Sequence, residues 1–354
     1  MKWQPRWPEI RQHYIDWWAG HGLVCTIPAP ADKPLADVPA PAPAPDLETA
    51  WLDPEHRRQK SEHALAHRWY GGDAFPSFDP IIGPGSLGTF LGARPVLEPT
   101  TVWYEPCIDD PDSYPAIVFD PDDNEWLDKH LALIDVGLES AQGRYPVGMP
   151  DLIENVDVVA AMRGSEQTLF DMIERPAWVE RAVDEINQAF FDAFDLLYDR
   201  ITFDGGNIFQ AFGLWGPGKT AKVQCDFACM ISVDMFDRFV APALQTQCDW
   251  LDYAMFHLDG TNAMQHLDTL LAIDSLDAIE WTPQAGIEGG GNPRWYDLYK
   301  RIKAGGKAVQ AVGVRPDEVV PLLDAVGPEG MFICTGAPSQ ADAQALAKRV
   351  NSYR

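Results

Sequence analysis

From Tyr145 onward the chain alternates short apolar runs with helix-length segments, and that rhythm constrains the fold more than any other feature. Tyr145–Asp151, Asn207–Phe212, Met255–Leu258, Ala278–Trp281, Ala308–Val312 and Met331–Cys334 read as strands. Between and after them Gln167–Glu174, Pro176–Tyr198, Asp234–Tyr253, Ala263–Leu271, Trp295–Lys303, Pro316–Val326 and Gln340–Tyr353 read as helices, Pro176 suiting a first helical turn. Strands that follow one another through helices pair in parallel, and the connections are too short for a second domain. The expectation is α/β, a single-domain closed (β/α)₈ TIM barrel that includes residues 23–354, with residues 1–22 as an amino-terminal helix.

The amino-terminal part is less regular. Pro8–Ala19 carries Ile10, Tyr14, Trp17 and Trp18 at helical spacing, and Leu23–Ile27 is a short buried-strand candidate. Proline alternating with alanine through Pro28–Pro45 predicts an extended Pro-rich loop outside helix and sheet, either a stiff connector or part of a lid. Asp53–Tyr70 reads as a polar helix. Residues 95–119 read as a hairpin excursion built from Thr101–Tyr104 and Ala116–Phe119, and Glu125–Gln142 as a further helix.

Strands of such a fold deliver chemistry at their carboxyl ends. His257 and Asp259 close one strand and Glu280 the next, so these three are expected on one face of the sheet. Asp79 and Asp151 each follow a strand-like segment and are general acid or base candidates, while helix capping or loop bracing is the plain alternative. Cys225 and Asp226 are placed in a loop on the same face, where either would meet substrate, and Cys229 in the core. Trp281 and Arg315, near strand ends, complete the candidate substrate contacts.

Charge and cysteine usage narrow the partners. A formal net charge of -26 argues against nucleic acid and anionic membrane surfaces. No run is long enough for a membrane span and no signal-peptide core opens the chain, so a cytoplasmic protein acting on a small molecule is expected; a homodimer stays open. Six cysteines in 354 residues make no disulfide framework.

Gly213–Thr220 fits the phosphate-loop pattern letter for letter, but Ala221–Asp226 is a poor helix start, and the match reads as accidental. Lys219 within it is kept as a contact for an anionic substrate group. Gly286–Gly291 lacks dinucleotide spacing and reads as a flexible loop.

Several motifs together resemble one superfamily. Phe78-Asp79-Pro80-Ile81-Ile82-Gly83-Pro84-Gly85-Ser86-Leu87-Gly88, Gln224-Cys225-Asp226, Ile231–Pro242 with its Phe-x-x-Phe-x-x-Pro helix, His257-Leu258-Asp259-Gly260, Glu280-Trp281-Thr282, Gly306–Gln310 and Ile333-Cys334-Thr335-Gly336 occur in the order seen in the uroporphyrinogen decarboxylase superfamily. The resemblance implies a (β/α)₈ barrel with a cleft at the strand carboxyl ends. It also implies one of two chemistries. The decarboxylase branch needs an amino-terminal arginine motif, and Arg11-Gln12-His13-Tyr14 lacks its second Arg. The corrinoid methyltransferase branch holds zinc with a His-x-Cys pair and a later Cys. By that resemblance His257 and Cys334 are ligands, Asp259 stands where the first Cys would be, and Glu280 is a fourth ligand. It implies methyl transfer between a small substrate and a corrinoid or thiol, the corrinoid arriving on a separate protein. Metal-free decarboxylation centred on Asp79, and a ligand-binding barrel without catalysis, are the alternative readings.

Overall fold

The computed structural model describes residues 1–354. Its eleven strands are β1 (Leu23–Pro30), β2 (Arg68–Gly72), β3 (Arg94–Leu97), β4 (Val102–Glu105), β5 (Gly206–Phe209), β6 (Leu214–Pro217), β7 (Thr220–Gln224), β8 (Tyr253–Asp259), β9 (Ala278–Thr282), β10 (Ala308–Ala311) and β11 (Met331–Cys334). Seven of them form the central sheet in the order β2-β1-β11-β10-β9-β8-β7, and β3–β4 and β5–β6 are separate two-stranded sheets. Every pairing from β1 across to β7 is parallel, and only β2 runs against its neighbour. The fold is therefore mixed α/β with a central parallel sheet and many helices, as the alternation requires.

Beyond β7 the chain continues the run of extended segments through single bonds. Asn207 in β5 receives Thr220 N–H on its side-chain oxygen at 2.9 Å and donates to the Thr220 carbonyl at 2.8 Å. Met149 N–H donates to the Ile208 carbonyl at 2.6 Å, Gly148 N–H to Phe78 O at 2.9 Å, and Phe78 N–H to Pro146 O at 2.8 Å. Phe78 and Val147 form a parallel bridge.

The helix Trp7–Trp18 buries Trp7, Ile10, Tyr14, Trp17 and Trp18, the stripe that its spacing predicts. Its polar atoms reach deep: Tyr14 OH donates to Gly213 O at 2.6 Å and Trp18 Nε1 to Trp215 O at 3.0 Å. Buried indole and phenol groups need such partners. The helix belongs to the same continuous apolar cluster as the sheet.

Four local expectations are corrected. The Pro-rich segment begins as strand: β1 runs to Pro30, pairing Pro28 with Tyr70 and Pro30 with Arg68. It tolerates proline because on the β11 side its carbonyls only accept, from Thr335 N–H to Thr26 O at 3.1 Å and from Ala337 N–H to Pro28 O at 3.0 Å. The following strap is tied to the helix Pro54–Ala66, with Leu35 N–H on Ala66 O and His63 Nδ1 2.8 Å from Val38 O. That helix stops at Ala66, and Trp69 and Tyr70 lie in β2, where backbone pairing to β1 overrides helical propensity. The excursion hairpin is β3–β4, and Ala116–Phe119 forms no strand. Asp234–Tyr253 divides into Val233–Phe239 and Ala241–Trp250, because Pro242 cannot continue a helix and fits the first turn of a new one.

Candidate metal and substrate site

Parallel register builds the site. Gln224 pairs with His257, His257 with Glu280, and Glu280 with Gln310, which sets four polar residues of β7, β8, β9 and β10 in one row. Side chains alternate along a strand, so Lys222, Gln224, His257, Asp259, Glu280 and Thr282 share a face. Trp281 takes the opposite face, fully buried with its ring 4.9 Å from Trp295. This corrects the expectation that it contacts substrate: the period of two that directs Glu280 inward directs Trp281 to the helices.

Glu280 is fully buried and accepts a hydrogen bond from His257 at Nδ1. Its other oxygen accepts from Thr282 Oγ1 at 2.6 Å. The Nε2 of His257 is left facing Asp226 Oδ1 at 4.0 Å. Asp226, His257 and Asp259 bring their donor atoms within 4.8 Å of one another. Gly260, at φ +76°, turns the chain sharply after Asp259, a conformation that favours glycine.

Burial disfavours the charged imidazolium of His257, but the Glu280 carboxylate outweighs it and the pKa rises. Burial also raises Asp259. Three carboxylates around one imidazole favour positive charge at this point, whether a proton or a divalent ion. A histidine whose Nδ1–H is held by a carboxylate and whose Nε2 is free is oriented as metal-binding histidines are.

Of the four expected ligands, His257 and Asp259 lie together, Glu280 orients His257, and Cys334 stands outside the group. Cys334 Sγ accepts from Gln310 Nε2 at 3.4 Å, and burial pushes its thiol up to about 12. Asp226 joins instead. Cys225, next to it and expected to meet substrate, is instead buried with its thiol raised by burial, whereas Cys229 is exposed, not core as expected.

A second polar cluster lies on the same face. Lys222 has a fully buried side chain, paired with Asp151 at 2.7 Å between Nζ and Oδ1. Glu154 is fully buried; it receives Gln224 N–H at 2.6 Å, its Oε2 has no partner, and burial raises its pKa to about 8. Asp157 accepts from the N–H groups of Asp226 and Phe227, both at 2.8 Å, and so sets the position of Asp226. Burial raises Asp157 to about 6. Asp79 is likewise raised to about 6 by burial, against the opposing field of Arg57. Arg57 spends its donors on the carbonyls of Asp79, Ile81 and Trp51.

Lys222, Glu154, Asp157 and Gln310 were missed from sequence. The available signal was a lysine and a glutamine alternating with Ala221 and Val223 in a short strand. Two expected contacts lie elsewhere. Lys219 precedes β7, at the amino end of the sheet, with its Nζ 2.6 Å from Asp195 and 4.3 Å from the Trp250 ring centre. Arg315 is exposed and paired with Asp317 and Glu318. The Gly213–Thr220 motif spans β6 and its turn into β7, so a strand stands where a phosphate loop requires a helix. The Gly286–Gly291 loop is pinned, with Gly290 N–H on Val312 O at 3.1 Å and Tyr299 OH on Gly290 O at 2.7 Å.

Two cavities flank the row. One, of about 410 Å³, opens at the carboxyl ends of β1, β10 and β11 and is bounded by Phe212. The Phe212 ring lies 5.1 Å from the His257 ring. The other, of about 450 Å³, lies between the β3–β4 hairpin and Asp226.

No family model matches the chain, and no curated protein matches it in sequence. Among solved structures it is similar to a methyltransferase from Methanosarcina mazei. The TM-score is 0.63 at 13% identity, covering 97% of this chain and 99% of that one. Likeness at this identity extends to the fold. No helix is long and apolar enough to cross a membrane.

Proposed function

We propose that the protein is a metal-assisted methyltransferase of the uroporphyrinogen decarboxylase superfamily, its strands closing as a (β/α)₈ barrel through Phe78, Val147 and β5. The observation that carries the reading is His257, oriented at Nδ1 by Glu280 and presenting Nε2 between Asp226 and Asp259. The full-length likeness to a methyltransferase fold supports the choice of reaction.

The donor chemistry fits a divalent ion, with His257, Asp226 and Asp259 as the residues that would hold it. Such an ion would supply Lewis acidity and lower the pKa of a thiol or hydroxyl methyl acceptor. Two carboxylates and one imidazole form a harder set than the His and Cys ligands of the resembling methyltransferases, which admits manganese or iron beside zinc. The chain's own residues do the positioning. Glu280 fixes the imidazole, Asp157 fixes the Asp226 backbone, and Phe212 closes the apolar side of the site. A corrinoid on a separate protein is the proposed methyl donor or acceptor.

The test is elemental analysis of protein purified without a metal-affinity tag from metal-replete cells. About one equivalent of a divalent transition metal, lost in His257→Ala, is expected; no bound metal rejects the proposal. A second reading, metal-free decarboxylation, is favoured by Asp79, whose pKa of about 6 suits a proton-transfer group near neutrality. Turnover unchanged in Asp79→Asn would end it.

A further inference from the structure

The 410 Å³ cavity carries a chemistry of its own. It has the size of a small-ligand site, and seven of its thirteen lining residues are hydrophobic. Antiparallel pairing of β1 with β2 sets Pro28 opposite Tyr70 and Pro30 opposite Arg68, so alternate residues of β2, Arg68 and Tyr70, reach the same cavity. Phe75 and Phe212 supply the aromatic wall. No aspartate or glutamate lines it, in a chain with 53 acidic and 27 basic residues.

Arg68 stands out in that setting. Almost every other arginine in the chain has a carboxylate within salt-bridge distance, and Arg68 has none. The other exceptions do not touch this cavity: Arg57 is saturated by three carbonyls and Arg349 lies on the last helix, whereas Arg68, exposed at the start of β2, lines it. Polar capacity is also unspent at the floor. Thr335 Oγ1, in the lining, is buried without a partner, and behind the lining the amide nitrogen of Gln310 holds the Phe212 carbonyl at 2.7 Å.

We propose that this cavity binds a small monocarboxylate with an apolar body. The carboxylate pairs with the Arg68 guanidinium at the rim, the body lies between Phe75 and Phe212, and the inner end meets Thr335. A guanidinium binds a carboxylate through two parallel N–H donors. One cation in a field of net charge -26 favours one negative charge over two, since each further charge adds repulsion without a second partner. Under the metal-assisted reading this molecule is the small substrate, because Phe212, which lines the cavity, has its ring 5.1 Å from that of His257.

Calorimetric titration of the full chain with phenylacetate, phenylacetamide and benzylphosphonate tests it. Phenylacetate is expected to bind at least tenfold tighter than the neutral amide and tighter than the dianion, with its advantage shrinking as salt is added. Arg68→Gln removes that advantage, and Arg349→Gln leaves it intact. Ala211→Trp, which fills the cavity from its exposed rim, abolishes binding of all three. Equal affinity for acid and amide, tighter binding of the phosphonate, or an advantage that persists in Arg68→Gln would overturn the proposal. His257→Ala is expected to bind phenylacetate like the parent protein, so loss of the metal reading leaves this result standing and the reverse also holds.

Discussion

Glu280 and His257 form a buried pair in which the carboxylate takes Nδ1 and leaves Nε2 facing Asp226. This pairing divides the expected ligands into those that would touch a metal and one that would aim them. Glu280→Gln retains the shape but weakens the hydrogen bond that orients the ring, and loss of such a partner lowers metal affinity roughly 10–100-fold. His257→Ala should abolish binding, whereas Cys334→Ser should leave affinity unchanged, because Cys334 lies outside the donor group. Competition against a chromogenic chelator measures all three. Loss of metal in Cys334→Ser would restore the thiolate ligand implied by the family resemblance.

Asp157 is the residue on which Asp226 depends. Its carboxylate receives two backbone N–H groups, and an asparagine offers only one oxygen in its place. Asp157→Asn should cost about 1–3 kcal/mol of stability and also weaken metal binding without removing a ligand. Denaturant unfolding combined with chelator competition checks both. A stability loss with unchanged metal affinity would reduce Asp157 to a structural role.

Glu154 gives the chain a pH dependence with a definite sign. Its pKa of about 8 in the fold lies above the ordinary glutamate value of 4.5 because the group is fully buried. The folded state therefore binds more protons between those two values. The contribution of Glu154 is fully present below about pH 4.5 and is lost as pH rises toward 8. Glu154→Gln keeps an oxygen for Gln224 N–H and never ionises. It should match the parent protein near pH 5 and exceed its Tm by about 2–4 °C at pH 9. Thermal melts across that range decide it, and a gap that is constant with pH would refute the assignment.

The sheet was legible because burial on both faces demands mostly apolar runs, and Met255–Leu258, Ala278–Trp281 and Met331–Cys334 satisfy that demand with one polar residue each in the first two. His257, Asp259 and Glu280 were legible because a polar residue at the end of such a run is conspicuous. What failed depended on partners distant in sequence. Trp69 and Tyr70 became strand because β1 lies beside them, and Cys334 is turned to Gln310 by a register that no single run reveals. The segment holding Glu154 was least legible of all. Ile153 at φ +51° and Asn155 at φ +62° occupy the left-handed region, which a branched side chain rarely enters. Strain of that kind is imposed by tertiary contacts, and here it accompanies the placement of Glu154 beside Gln224.

Lys222 and Asp151 test whether the second cluster is a balanced ion pair. Both are buried, with Nζ 2.7 Å from Oδ1, and the lysine pKa is raised by Asp151 and Glu154 in spite of its burial. Removing one member strands the other charge away from water, at a cost of about 3–5 kcal/mol. Lys222→Met alone should therefore destabilise by that amount. Removing both charges in Lys222→Met with Asp151→Leu should recover most of the loss, since an apolar replacement of a whole buried pair is often close to neutral. A double-mutant cycle by chemical denaturation reads the coupling directly. If the double variant is as unstable as the sum of the single ones, the two charges are not coupled and Lys222 does not depend on Asp151.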